Sequence, residues 1–206
     1  SDYDLDIGNN RISYPFEVAQ AIEDAIPDEN LDNIVAISNG GNIRYKIGSN
    51  WYGSLKSFEP HNDYWFYTNN PFTLVFNEPS DNISNEFEKG TRNNIPELFI
   101  YNQSIYQSFY FIKESFIDDS PLVVDEDWIG AFYGDVCIGA RRWTGHYTDI
   151  PVMGFDIDNP ETEGYILSGE YPQFVIYDSS EDEYYDALAY ENFTFTQSFL
   201  AMHIVD

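Results

Sequence analysis

The chain has 206 residues, enough to bury a core as one large domain or two small ones, and 43% are hydrophobic, which excludes disorder for most of its length. Thirty-six acidic residues against nine basic ones leave a formal charge of -27, a field that repels nucleic acid and anionic membrane surfaces. No apolar run reaches the ~18 residues of a membrane-spanning helix, so neither nucleic acid nor membrane insertion is expected.

Seventeen Tyr, sixteen Phe and four Trp against two Met fit pleated, half-buried surfaces better than helices. The first segment, Asp2 to Ile7, alternates: Tyr3, Leu5 and Ile7 on one face, three Asp on the other. Gly8-Asn9-Asn10 predicts a turn and Arg11–Tyr14 a returning strand, together a hairpin. After Pro15, Val18, Ala19, Ile22, Ala25 and Ile26 recur at helical spacing until Pro27 stops them. From Ile34 onward short strands alternate with Asn- and Gly-rich turns, among them Ile43-Tyr45-Ile47, Tyr64-Trp65-Phe66-Tyr67 and Phe72-Leu74-Phe76.

Residues 79–95 are rich in Asn, Ser and acid and read as a linker. The expected architecture is therefore mainly β, with two β-sandwich or jelly-roll-like domains: 1–78, carrying the one short α-helix, and 96–206. In the second, Trp128–Ala140 reads as a hairpin folded at Tyr133-Gly134-Asp135, Phe174–Tyr177 pairs with Tyr184-Tyr185, and Phe199–Val205 closes the chain.

The single cysteine, Cys137, excludes an internal disulfide or a Cys-based zinc site and reads as a small buried hydrophobe. A chain opening at Ser1 is expected to be a mature, secreted product. Sequons at Asn82, Asn102 and Asn192 permit glycosylation.

Two blocks resemble modules of large bacterial secreted and cell-surface proteins. Ile12-Ser13-Tyr14-Pro15, Trp51-Tyr52-Gly53-Ser54-Leu55 and Asp63-Tyr64-Trp65-Phe66 resemble a repeated "W-x-G-S-L…Y-W" module, although Asn62-Asp63 stands where a Gly is usual. Asp127-Trp128-Ile129-Gly130-Ala131-Phe132, Gly134-Asp135-Val136-Cys137-Ile138-Gly139 and Phe174-Val175-Ile176-Tyr177-Asp178 resemble a second surface module. The resemblance implies tandem accessory β-sandwiches without catalytic residues.

Chemistry is sparse. His61, His146 and His203 lie far apart, and no H-E-x-x-H, G-x-S-x-G or phosphate-binding glycine loop is present. Abundant carboxylates are no evidence for a glycosidase pair, so an enzyme is not expected. Asp118, Asp119, Asp125, Asp127 and Asp178 are the candidate metal ligands, with Ca²⁺ the cation suited to such oxygen donors, against the alternative of solvated turn residues. Trp51, Trp65 and Trp143 are candidates for stacking on a sugar ring, against core or interface positions.

Two functions remain open. One is an extracellular structural protein that self-assembles with its own copies into a surface filament or tube. Tyr3, Leu5 and Ile7, or Leu200, Met202 and Ile204, would supply strand contacts, and Arg141 and Arg142 would meet an acidic loop of the next copy. The other is a non-catalytic binding module for polysaccharide or for a surface protein.

Overall fold

The computed structural model describes residues 1–80, 95–197 and 201–205. The chain is mainly β and divides into two compact units, Ser1–Asn93 and Asn94–Asp206. The linker expected at 79–95 falls mostly outside the described residues, as do Asn82, Phe199 and Leu200.

The N-terminal unit runs β1 (Asp2–Leu5), β2 (Gly8–Ser13), β3 (Gln20–Ala21), α1 (Ile22–Ala25), β4 (Ile34–Asn39), β5 (Asn42–Ile47), β6 (Asn50–Tyr52), β7 (Ser57–Phe58), β8 (Asp63–Thr68) and β9 (Phe72–Val75). One five-stranded sheet has the order β2-β8-β4-β5-β6, and two short ribbons pair β1 with β9 and β3 with β7. Its core gathers Leu5, Ile12, Ile37 and Phe66 with Ile22 and Ala25 of α1 and with Phe58 of β7. Phe58 is fully buried, stacked on Tyr14 and Phe66 and edge-on to Tyr64 and Phe76. The alternation in β8 is as its aromatics require: Tyr64 and Phe66 point into this core, while Trp65 is half-buried and Tyr67 exposed.

Two local expectations are corrected. The N-terminal hairpin does not form: β1 pairs antiparallel with β9 and β2 with β8, so the two strands run as one bent ribbon along the β8–β9 segment. The bend is held by Asn10, whose Oδ1 accepts from the Asp6 amide (3.0 Å) and whose Nδ2 donates to the Asp6 carbonyl (2.8 Å). Asn and Gly serve such a bend as well as a reversing turn, which is why sequence alone misleads here. The helix is also shorter than its periodicity implies, because Gln20-Ala21 is drawn into a ribbon with Ser57-Phe58 and Tyr14 Oη donates to the buried Gln20 Oε1 (2.9 Å). Val18 is left exposed.

The C-terminal unit runs β10 (Gln107–Ile112), β11 (Phe116–Ile117), β12 (Ser120–Pro121), β13 (Trp128–Tyr133), β14 (Val136–Arg142), β15 (Thr148–Met153), β16 (Gln173–Asp178), β17 (Glu183–Ala187) and β18 (Ala201–Val205). A four-stranded sheet has the order β14-β13-β16-β17 and a three-stranded sheet the order β15-β10-β18. Side chains of both build one core: Ile129, Ile138, Phe174 and Ile176 from the first, Tyr110, Ile150, Val152 and Val205 from the second. The expected β13–β14 and β16–β17 hairpins form, the first turning through Gly134 at φ 58°. The chain passes from sheet to sheet between β14 and β15. There Gly139 lies against Pro151 so closely that a Cβ would fall 1.6 Å from the Pro151 carbonyl oxygen.

Candidate functional site

The residues marked for assembly divide among core, half-buried and exposed positions, and Leu200 lies outside the described residues. Leu5 is a core residue, and Tyr3 is half-buried against Phe76 with its hydroxyl donating to the Ser13 carbonyl. Arg141 does not await a second copy: its Nη2 pairs with Asp149 Oδ2 at 3.0 Å, and Asp149 is 2% exposed. Arg142 donates to the Asp125 carbonyl (3.3 Å) and lies over the Trp128 ring. Met202 is half-buried on β18, whereas Ile7 and Ile204 are exposed.

The stacking candidates separate in the same way. Trp143 is a core residue of the C-terminal unit and offers no open ring, which corrects its proposed role. Trp51 is half-buried against the N-terminal core with the Lys46 ammonium 5.9 Å from its ring centre, and Trp65 is half-buried.

The acidic candidates serve turns. Asp118 and Asp119 both adopt positive φ (47° and 65°) at the tight turn between β11 and β12, and Asp125 does so at 64°. Asp127 is buried, and its carboxylate accepts from the Val123 amide (2.6 Å) and from the amide (3.1 Å) and hydroxyl (3.2 Å) of Ser179. It thereby ties the loop before β13 to the turn after β16. Asp178 caps that turn through the Ser180 (2.8 Å) and Glu181 (3.2 Å) amides; hydrogen bonds, the Ser180 side chain's first, hold its carboxyl below the usual range. Among the described residues no three His, Cys, Asp or Glu side chains gather as a metal site would need.

Cys137 is buried and His203 half-buried, and neither has an acid–base partner among the described residues. The Cys137 thiol donates to the Gly139 carbonyl, and burial pushes it up to about 11. His203 packs between the rings of Tyr110 (4.6 Å) and Phe193 (5.4 Å), its buried Nε2 has no partner among the described residues, and desolvation lowers its pKa.

Three openings lie on the flank of the C-terminal unit around β17. β17 is the outer strand of its sheet and β18 of the other. A cavity of about 530 Å³ is walled on one side by Lys113–Asp118, which continue from β10, and on the other by Ile176, Tyr185–Leu188 and Tyr190. A smaller void of about 50 Å³ joins Ala187 of β17 to Val205 of β18 over Ile112, Ile129 and Ile176. A third opening, of about 720 Å³, runs along the other side of β17 past Leu98, Phe132 and Phe174. On the lip, Leu188 is 98% and Tyr190 92% exposed, and Phe116 is 52% exposed. Hydrogen bonds to Glu181 and then Glu183 keep the Tyr185 phenol protonated, raising its pKa well above normal.

Sequence reasoning missed this flank. Its signal is the run Ala187-Leu188-Ala189-Tyr190, which stops alternating where β17 ends. No family model matches the chain, and no curated protein or solved structure matches it.

Proposed function

We propose that the chain is a non-catalytic binding module of an extracellular surface protein and that it holds a segment of another protein at the β17 flank. The observation that carries this reading is the cleft between Lys113–Asp118 and β17, with apolar Phe116, Leu188 and Tyr190 on its lip. Exposed large apolar side chains gathered at an opening mark contact surfaces, and an outer strand leaves backbone groups for a partner strand. A polysaccharide is the weaker choice of ligand, because Trp143 is in the core and Lys46 covers Trp51.

Selection of a random peptide display library on the immobilised protein tests the reading. It predicts enriched sequences whose binding falls when Phe116 and Leu188 are changed together to Ser. Enrichment indifferent to that change, or no enrichment, refutes it.

Self-assembly with copies of the chain is the second reading. It is favoured by β1 and β18, each with a single strand partner among the described residues, beside exposed Ile7 and Ile204. Because a charge of -27 opposes contact between copies, filaments would form only where salt screens it, and negative-stain microscopy across salt concentration checks this.

A further inference from the structure

We infer that the cleft beside β17 takes an extended, cationic segment of its partner, laid along the strand with alternate apolar side chains turned inward. This rests on the binding-module reading and adds the chemistry of the partner.

Three features point to it. The first is shape: β17 is an outer strand, and the cavity that opens on its inner face deepens into the void shared with Val205 of β18. A strand added here would find hydrogen-bonding groups on one side and room for every second side chain on the other. The second is the lining. Ile117, Ile176, Ala187 and Leu188 offer apolar walls, which favour Val- or Ile-sized knobs over polar ones.

The third feature is charge. Glu114, Asp118 and Asp186 stand in the wall, with Lys113 as its one basic member, and Glu181 and Glu183 accept from the hydroxyl of Tyr185, another residue of the wall. His146 Nδ1 lies 4.0 Å from the Glu114 carboxylate. On β17 Asp186 lies on the face opposite Tyr185 and Ala187, the face that the outward side chains of an added strand would share, so Lys or Arg there is attracted and Asp or Glu repelled. A second copy fits poorly for the same reason. Its alternating segment Asp2-Tyr3-Asp4-Leu5 would bring aspartates to an acidic rim, and it is already paired with β9.

The test uses the whole chain and three synthetic octapeptides, each about 27 Å when extended. One alternates Val and Lys, one alternates Val and Glu, and one is the Val-Lys peptide with a central Pro, which cannot keep a strand's hydrogen bonds. Binding is read by fluorescence anisotropy at about 0.15 M salt, where long-range attraction is screened. The Val-Lys peptide should bind, the proline peptide about tenfold or more weaker, and the Val-Glu peptide not at all. Leu188→Ser and Phe116→Ser should each weaken the Val-Lys peptide while Ile157→Ser, at an exposed site outside the cleft, leaves it unchanged. All three side chains are exposed, so these variants keep their circular dichroism.

Equal binding of the proline peptide would reduce the effect to charge alone and overturn the proposal. Preference for the Val-Glu peptide would overturn the cationic partner and leave the binding module standing. Dimers of the free chain that Leu188→Ser abolishes would assign the cleft to a second copy, again overturning the cationic partner. Failure of all three peptides, together with a library that enriches nothing, would remove the module reading itself.

Discussion

Arg141 and Asp149 lock the passage from one sheet of the C-terminal unit to the other: the guanidinium reaches the carboxylate through Nη2 and the Asp149 carbonyl through Nε, both at 3.0 Å. Asp149 is 2% exposed and the Arg141 side chain 19%, so little water is there to replace either group. Removing one partner of such a pair strands a charge and costs about 3–5 kcal/mol. Arg141→Met should lower the unfolding free energy of the C-terminal unit, measured by urea denaturation, by that amount, and Arg141→Met with Asp149→Leu should recover much of it. A single variant as stable as the wild type would show the pair to be dispensable.

Gly139 precedes Arg141 by two residues on β14. A Cβ there would meet backbone of Pro151, which cannot swing aside as a side chain could. Gly139→Ala is expected to destabilise by about 3 kcal/mol or to prevent folding. Gly134→Ala, at φ 58° with open space around it, should cost only about 1 kcal/mol of backbone strain. Thermal unfolding of the two variants side by side distinguishes a steric need for glycine from a conformational one.

Phe58 sits at the centre of the aromatic cluster of the N-terminal unit, against the rings of Tyr14, Tyr64, Phe66 and Phe76. Phe58→Ala should cost about 3–5 kcal/mol, and Phe58→Leu distinctly less because it leaves a smaller cavity. Chemical denaturation followed through the Trp51 and Trp65 fluorescence of this unit would measure both.

His203 gives β18 a pH dependence. Its folded pKa lies below the ordinary 6.5 because burial disfavours the charged ring, so the released strand binds the proton more tightly. Docking of β18 is therefore fully stable above 6.5, weakens as the pH falls below it, and levels off once the pH passes the folded value. Hydrogen exchange of the β18 amides from pH 7.5 to 5 should reveal faster opening at the acid end after correction for intrinsic exchange rates, and His203→Phe should remove that part of the dependence.

Cys137 should behave as an inert thiol. With its pKa at about 11, little thiolate forms near neutrality, and burial blocks access. Ellman's reagent should report about one thiol in urea and close to none in the native protein over the same period.

Strand content was legible in the sequence because alternation is a local signal. The β13–β14 and β16–β17 hairpins follow from Gly134-Asp135 and from the polar run Asp178–Asp182 set between apolar pairs. The same rule misread Gly8-Asn9-Asn10, since a bend that keeps the chain going and a turn that reverses it use the same residues. Helical spacing over Val18–Ile26 likewise could not reveal that Gln20-Ala21 would find a strand partner more than thirty residues later.

The site was the least legible part. Asp127 reads in sequence like any other member of an acidic cluster, and only the approach of Val123 and Ser179 makes it a buried clasp. Arg141 and Trp143 look like surface residues until the passage from β14 to β15 carries them inside.

The sequence by itself determined a mainly β chain, its strong negative field, its lack of a disulfide and the faces of strands such as β8, because composition and period-two alternation act within a few residues. Tertiary structure decided which strands pair, which carboxylates are consumed by turns and ion pairs, and that β17 has no outer neighbour among the described residues. Those outcomes depend on contacts between residues tens of positions apart, and no local pattern records them.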